Sequence, residues 1–278
     1  MTHPDDSYVL GTGERERERL LRQHRLWLPA ARAAWERAGL GRGQRVLDLG
    51  AGPGFCSVEL ARAVGPGGRV LALERSGEYV QAARTLAARD GLEQLEVLRH
   101  DIATDPVPAG RFDLALCRWV AMFLPRLDPL LQLLEEGLRP GGRFVAQEYV
   151  HWDTFGLHPR GEAVARFGRA VTASFRAAGG DPDVNRRLPS LLAGRGFRIT
   201  ELRPLPVLGR PGDPWARWLE RFVRIYGAEL IRQGRWSTEE AARAEREMEA
   251  ARADPGSCWM GPTVLELHAT RLPSGSGR

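Results

Sequence analysis

The chain has 278 residues, 43% of them hydrophobic, and its 40 basic residues, all arginine, stand against 35 acids for a net charge of +5. That length and apolar content are enough to bury one large core or a core plus a cap. No apolar run approaches the roughly 20 residues needed to span a bilayer, the acidic start with Asp5, Asp6 and Glu14 is unlike a signal peptide, and a cytoplasmic enzyme is expected. Cys56, Cys117 and Cys258 lack C-x-x-C spacing, which argues against a disulfide framework and a zinc site. Cys56 and Cys117 read as buried small hydrophobes. Acids interspersed among the arginines argue against a surface that tracks nucleic-acid phosphates.

In chain order, Glu14-Arg15-Glu16-Arg17-Glu18-Arg19 alternates in sign, and on a helix this puts opposite charges at i,i+3. It reads as a solvated face, with Leu20, Leu21, His24, Trp27 and Leu28 turned inward. Val46, Leu47 and Leu49 read as a buried strand, and Phe55 to Val64 reads as the helix after it. Between them lies Asp48-Leu49-Gly50-Ala51-Gly52-Pro53-Gly54, a glycine-dense turn that a ligand can approach closely. A dinucleotide fingerprint would place its last glycine where Phe55 stands. The acid before the turn repels pyrophosphate and suits a cationic, amino-bearing ligand.

A second apolar run, Arg69 to Leu73, ends at Glu74, about where an acid meets ribose hydroxyls in an α/β nucleotide fold. Leu95 to Leu98 reads as a third strand, followed by His100-Asp101-Ile102. Phe112 to Cys117 reads as a fourth, leading into Arg118-Trp119, and Arg139-Pro140-Gly141-Gly142 reads as the turn into a fifth. Taken together, residues 40 to 150 resemble the class I S-adenosylmethionine (SAM) dependent methyltransferases, and most closely their ubiquinone/menaquinone-biosynthesis-like small-molecule branch. The opening Tyr8-Val9-Leu10-Gly11 and the later Asp181 to Pro189 resemble flanks of its bacterial members.

The resemblance implies a Rossmann-like α/β fold with a seven-stranded, mostly parallel sheet, and SAM as cofactor. It implies cofactor contacts from Asp48, Gly50, Gly52, Gly54, Glu74, Arg75, Asp101, Ile102 and Arg118, with Asp101 meeting the adenine amino group and Ile102 the ring. Residues 1–40 would form a helical segment closing over the cofactor, 41–150 the SAM-binding core, and 151–278 helical cap elements with the last two strands.

Beyond the core, Asp128-Pro129, Asp181-Pro182 and Asp213-Pro214 each place an N-cap acid before a proline, Ser237 with Glu240 forms a capping box, and helices are expected to begin near 129, 214 and 238. Pro159 opens another helix that runs through Phe167, Val171 and Phe175 to Gly179-Gly180. Phe197 to Leu202 and Thr263 to Thr270 read as strands, the latter resembling the family's antiparallel seventh strand. Between them an insertion of two helices carries Trp215, Trp218, Phe222 and Tyr226, positioned to cap a substrate pocket. Only the tail from Ser274 to Gly277 reads as disordered.

The fifth strand ends at Gln147-Glu148-Tyr149-Val150-His151, at the sheet edge where ligands bind. His151 is the candidate general base. Glu148, His151, Asp153 and His158 match no metal-dependent methyltransferase spacing, and no metal is expected. The reading is methyl transfer from SAM to a small-molecule acceptor, preferably at oxygen. Nitrogen or carbon acceptors and a SAM-binding protein without catalysis are the alternatives, and aminopropyl transfer would need an acid-lined polyamine pocket for which no residues stand out.

Overall fold

A computed structural model describes residues 13–273. The Tyr8-to-Gly11 flank and the tail from Ser274 lie outside the described residues. The central sheet is built from β1 (Arg45–Leu49), β2 (Arg69–Glu74), β3 (Leu95–Arg99), β4 (Phe112–Arg118), β5 (Leu138–His151), β7 (Phe197–Leu205) and β10 (Thr263–Arg271). Their order is β3-β2-β1-β4-β5-β10-β7. Strands β1 to β5 pair in parallel, and β10 runs antiparallel to both its neighbours. A smaller sheet joins β6 (Gly156–His158), β8 (Leu208–Gly209) and β9 (Cys258–Met260); strands of two or three residues carry too little periodicity to be read from sequence.

The central strands are apolar almost throughout because both faces of the sheet are covered. Val46, Val70, Ala72, Leu114 and Val145 face a core shared with α2 (Phe55–Val64) and α3 (Gly77–Arg89), while Leu47, Leu71, Leu73, Ala115 and Phe144 face the other, larger core. That second core takes in α4 (Asp128–Gly137), α5 (Glu162–Ala177), α7 (Pro214–Arg232) and α8 (Thr238–Ala253). The expected helix starts fall at Asp128, Pro214 and Thr238, and Ser237 forms a capping box with Glu240. No helix of the described residues is long and apolar enough to cross a membrane.

Three expectations are corrected. The Arg139-to-Gly142 segment is a bulge inside β5 and not a turn before it: pairing jumps from Phe112 with Leu138 to Leu114 with Arg143. Cys56 is half-buried, whereas Cys117 is buried. In α1 (Glu14–Arg37), the buried side consists of Glu16, Arg19, Gln23, His24, Trp27, Ala31, Ala34 and Trp35, and Leu20, Leu21 and Leu28 are only half-buried. A buried Glu16–Arg19 pair is tolerated because it is closed internally: Arg19 Nε and Nη2 donate to the two Glu16 oxygens at 2.7 and 2.6 Å, and Nη1 donates to Gln23 Oε1 at 2.7 Å.

At its C-terminal end α1 is tied to the sheet. Arg37 donates to Glu266, which is fully buried on β10, and lies 3.8 Å from Glu201 on β7. Gln147 Nε2 also donates to Glu266, at 3.1 Å, and His268 Nε2 is 2.8 Å from it. The Glu201–Glu266–His268 group thus already holds a cation, the Arg37 guanidinium.

Candidate active site

A cavity of about 490 Å³ opens above the carboxyl ends of β1, β2, β4 and β5, with α1 and the cap helices α5 and α7 completing its wall. That position is where an open α/β sheet leaves a crevice between diverging connections. The glycine turn forms one end. Gly50, Gly52 and Gly54 have φ of +62°, +55° and +85°, in the left-handed region that glycine alone enters cheaply. Their reasons differ. A Cβ on Gly50 would stand 2.4 Å from Val120, and one on Gly54 would stand 2.6 Å from Ala83, whereas one on Gly52 would meet nothing within 4 Å. Gly52 therefore borders open cavity. Gly54, expected as a cofactor contact, is instead packed against α3 at the N-terminus of α2 and does not line the cavity.

Glu74, at the tip of β2, is 3% exposed. Its Oε2 accepts from the Gly52 N–H and its Oε1 from the Ser76 N–H, both at 2.8 Å, so strand and glycine turn are locked together. Burial raises its pKa, and the backbone donors oppose that rise. Asp48, also buried, accepts from the Ser57 hydroxyl at 2.6 Å. Burial pushes its pKa up to about 6, against the pull of that hydrogen bond and of Arg118. Arg75, Asp101 and Ile102 line the same end, and Asp101 Oδ1 accepts from the Ala103 N–H at 2.9 Å.

Arg118 lines the cavity from the end of β4, its guanidinium 4.9 Å from the Trp119 ring and its Nη2 3.4 Å from His24 Nδ1. Burial first, and Arg118 second, lower the His24 pKa to about 4, so His24 is neutral and its Nδ1 accepts from Arg118. Arg118 Nη1 is buried and has no partner among the described residues. The structure thus gathers Asp48, Gly50, Gly52, Glu74, Arg75, Asp101, Ile102 and Arg118 around one cavity.

His151 is not brought there. Its ring is 51% exposed, with Nδ1 3.2 Å from Arg186 and 3.8 Å from Asp153. The chain leaves β5 at this point and enters a short 3-10 turn, Trp152–Thr154, that carries Trp152 inward and leaves His151 outside. It does not line this cavity.

The other end of the cavity is aromatic and apolar. Trp119, Met122, Phe123, Tyr149, Trp152, Phe175, Trp218 and Phe222 line it. Trp119 and Tyr149 stack at 6.0 Å, Tyr149 meets Trp152 edge-on at 5.2 Å, and Phe123 meets Phe175 edge-on at 5.7 Å. Trp27 of α1 stands edge-on to Trp119, Trp215 and Trp218, joining the N-terminal helix to the cap above the cavity. Trp119 holds this place at φ +55°, the left-handed region, which a tryptophan adopts only under constraint. Glu148, fully buried on β5, supplies part of it: its Oε1 accepts from the N–H groups of Val120 and Ala121 at 2.7 and 3.1 Å. Burial raises the Glu148 pKa to about 7 against these donors.

Sequence reasoning did not find Arg19, Gln23 and His24 as cavity residues, nor the roles of Trp119 and Tyr149. The i, i+3, i+7 spacing of Glu16, Arg19 and Gln23, continuous with Trp27, was the available signal for the helix. For Trp119 and Tyr149 there was none, because their roles come from contacts across the sheet.

Comparison with known proteins agrees with this geometry. The family profile for the methyltransferase domain matches residues 40–184, just over half of the chain. An uncharacterised 37.1 kDa protein in transposon TN4556 of Streptomyces fradiae is 35% identical over 166 residues, which cover 59% of this chain and 46% of that protein. The demethylmenaquinone methyltransferase of Lactococcus lactis is 28% identical over 130 residues, covering 47% of this chain and 50% of the enzyme. The chain thus spans half or less of the length of the first curated relatives it matches. The geranyl diphosphate C-methyltransferase of Streptomyces coelicolor A3(2), solved with S-adenosyl-L-homocysteine, shares the fold with a TM-score of 0.58 at 16% identity, over 90% of this chain and 77% of that one.

Proposed function

Because the chain belongs to the methyltransferase domain family, as a class I SAM-dependent methyltransferase of small molecules, we propose that it transfers the methyl group to an oxygen of a planar, largely apolar acceptor. The observation that carries this reading is the division of one cavity into a polar end, built on the glycine turn and buried acids, and an aromatic end beneath the cap. The residues fit SAM. Gly52 leaves space where a Cβ would intrude, Glu74 retains free lone pairs on two anchored oxygens, and the buried Arg118 Nη1 has no partner among the described residues.

In this reading Glu74 accepts from the ribose hydroxyls, Asp101 from the adenine amino group, and Ile102 packs on the ring. Asp48 faces the cationic methionine portion, and Arg118 takes its carboxylate. Bound SAM supplies a methyl group already activated by the sulfonium. The protein's part is to hold the acceptor atom in line with that methyl and to exclude water, an orientation effect that supplies about 7 to 11 kcal/mol in favourable models. Residues 14–37 and the cap helices α5 and α7 close over the cavity for that purpose.

A strong base is not required if the acceptor hydroxyl is phenolic, and His24 does not fit that role: burial and Arg118 lower its pKa to about 4, and its Nδ1 is engaged by Arg118. Aromatic walls select a planar acceptor, since ring stacking is worth about 0.5 to 1.5 kcal/mol beyond burial. The test is turnover with SAM on a panel of phenols, aromatic amines and enolisable ring compounds, with the methylated atom located by NMR. Methylation at phenolic oxygen is expected. Turnover confined to amines or ring carbons overturns the oxygen assignment and leaves the methyltransferase assignment standing.

A further inference from the structure

Tyr149 is unusual among the cavity residues. It is 8% exposed, it contributes the only hydroxyl among the described residues lining the cavity, and that hydroxyl makes no hydrogen bond within the described residues. The indole nitrogens of Trp119, Trp152 and Trp218 are also unpartnered, but they are sealed among neighbouring atoms; the Tyr149 hydroxyl is not. Its ring cannot turn away, being stacked on Trp119 and met edge-on by Trp152. A phenol that opens into the cavity and has no partner among the described residues is free to donate to a ligand there.

The groups around it define what it does. Burial pushes the Tyr149 phenol up, well away from neutral pH, so it donates a hydrogen bond and does not take a proton. Arg19, a charge that acts on it, is committed to Glu16 and Gln23 and leaves Tyr149 as the available hydroxyl donor. A donor placed on the attacking oxygen itself would tie up the lone pair that must reach the methyl carbon. The bond is productive on a second oxygen beside it.

Resting on the oxygen-acceptor reading above, we propose that the Tyr149 hydroxyl orients the acceptor by donating to a carbonyl oxygen adjacent to the methylated hydroxyl, so that the substrate class is hydroxylated aromatic ketones and quinones. The acceptor ring then lies among Trp119, Trp152 and Phe222, and its carbonyl points to β5. The acceptor hydroxyl loses its proton to water before the cavity closes, and the oxygen–carbon bond then forms as the carbon–sulfur bond breaks, with S-adenosyl-L-homocysteine as the leaving group.

Tyr149→Phe keeps the stacked ring and removes only the donor. The experiment measures SAM affinity by calorimetry, and kcat and KM for a series of hydroxyaryl ketones and hydroxyquinones of one to four rings beside matched phenols lacking the carbonyl. The wild type is expected to prefer the carbonyl-bearing acceptors. In the variant, SAM affinity stays within twofold, kcat/KM for those acceptors falls about 10- to 100-fold, the matched phenols change less than threefold, and the pH profile keeps its shape. A variant that keeps the wild-type preference overturns the inference while leaving the oxygen assignment intact. Loss of SAM binding in the variant also overturns it, because the residue then serves the cofactor. Failure of the wild type to methylate any of these oxygens, with SAM bound, overturns the oxygen-acceptor reading and this inference together.

Discussion

Among the described residues Asp48 has one side-chain hydrogen-bond partner, the Ser57 hydroxyl, and burial pushes its pKa up to about 6. Below that pH the folded protein without ligand carries a proton there, and a cationic ligand favours the ionised form. Ligand binding must then release a proton below pH 6, so affinity for SAM should rise as pH climbs towards 6 and level off above it. Calorimetry from pH 5 to 8 in buffers of different ionisation enthalpy checks this, and Asp48→Asn should flatten the curve. The three glycines of the same turn should separate by phenotype. Gly52→Val places a branched side chain in open cavity at positive φ, so it should abolish SAM binding for a strain cost of about 1 to 2 kcal/mol in stability. Gly54→Val drives a side chain into Ala83 as well, and should lower the melting temperature more than Gly52→Val. Thermal melts with and without SAM distinguish the two.

At the level of elements, α1 is held at both ends by different forces. Trp27 buries its ring against Trp119, Trp215 and Trp218 over the cavity, and Arg37 reaches Glu266 on β10. Arg37→Ala leaves Glu266, fully buried, with His268 and Gln147 as its partners among the described residues. Arg37 is 31% exposed, so the loss should be below the 3 to 5 kcal/mol of a fully buried pair, at about 1 to 2 kcal/mol. Amide hydrogen exchange should show the loosening concentrated in residues 30–37, with β1 to β4 unchanged. This element was legible as a helix from its period, but not its inward face. The sign alternation of Glu14 to Arg19 suggests a solvated surface, and only the closed Glu16–Arg19–Gln23 set explains how two charges lie inward.

Across the whole molecule, the cavity draws on α1, the turns after β1, β2 and β4, the end of β5, and the cap, so a ligand there joins parts that otherwise meet only at their edges. SAM at about a hundred times its dissociation constant should stabilise the fold by roughly 2.7 kcal/mol and raise the melting temperature by roughly 5 to 10 °C. A shift that fails to grow with ligand concentration would exclude binding to the native state.

The sequence by itself determined the strands of the central sheet apart from where β5 begins, the glycine turn and the acids that close β1 and β2, because each is a local pattern of an apolar run and the turn that ends it. Glu74 reaches Gly52 because parallel pairing of β1 with β2 fixes their register, and the spacing of the runs already implies that pairing. The aromatic end of the cavity was decided by tertiary structure alone. It joins side chains from residues 119 to 222 whose mutual distances depend on how the cap packs on the sheet. Tyr149 and His151 stand two residues apart on one strand, and nothing in their spacing says which faces the cavity. Trp119 and Trp152 enclose the first, and the 3-10 turn at the end of β5 buries Trp152 and leaves the second beside Arg186.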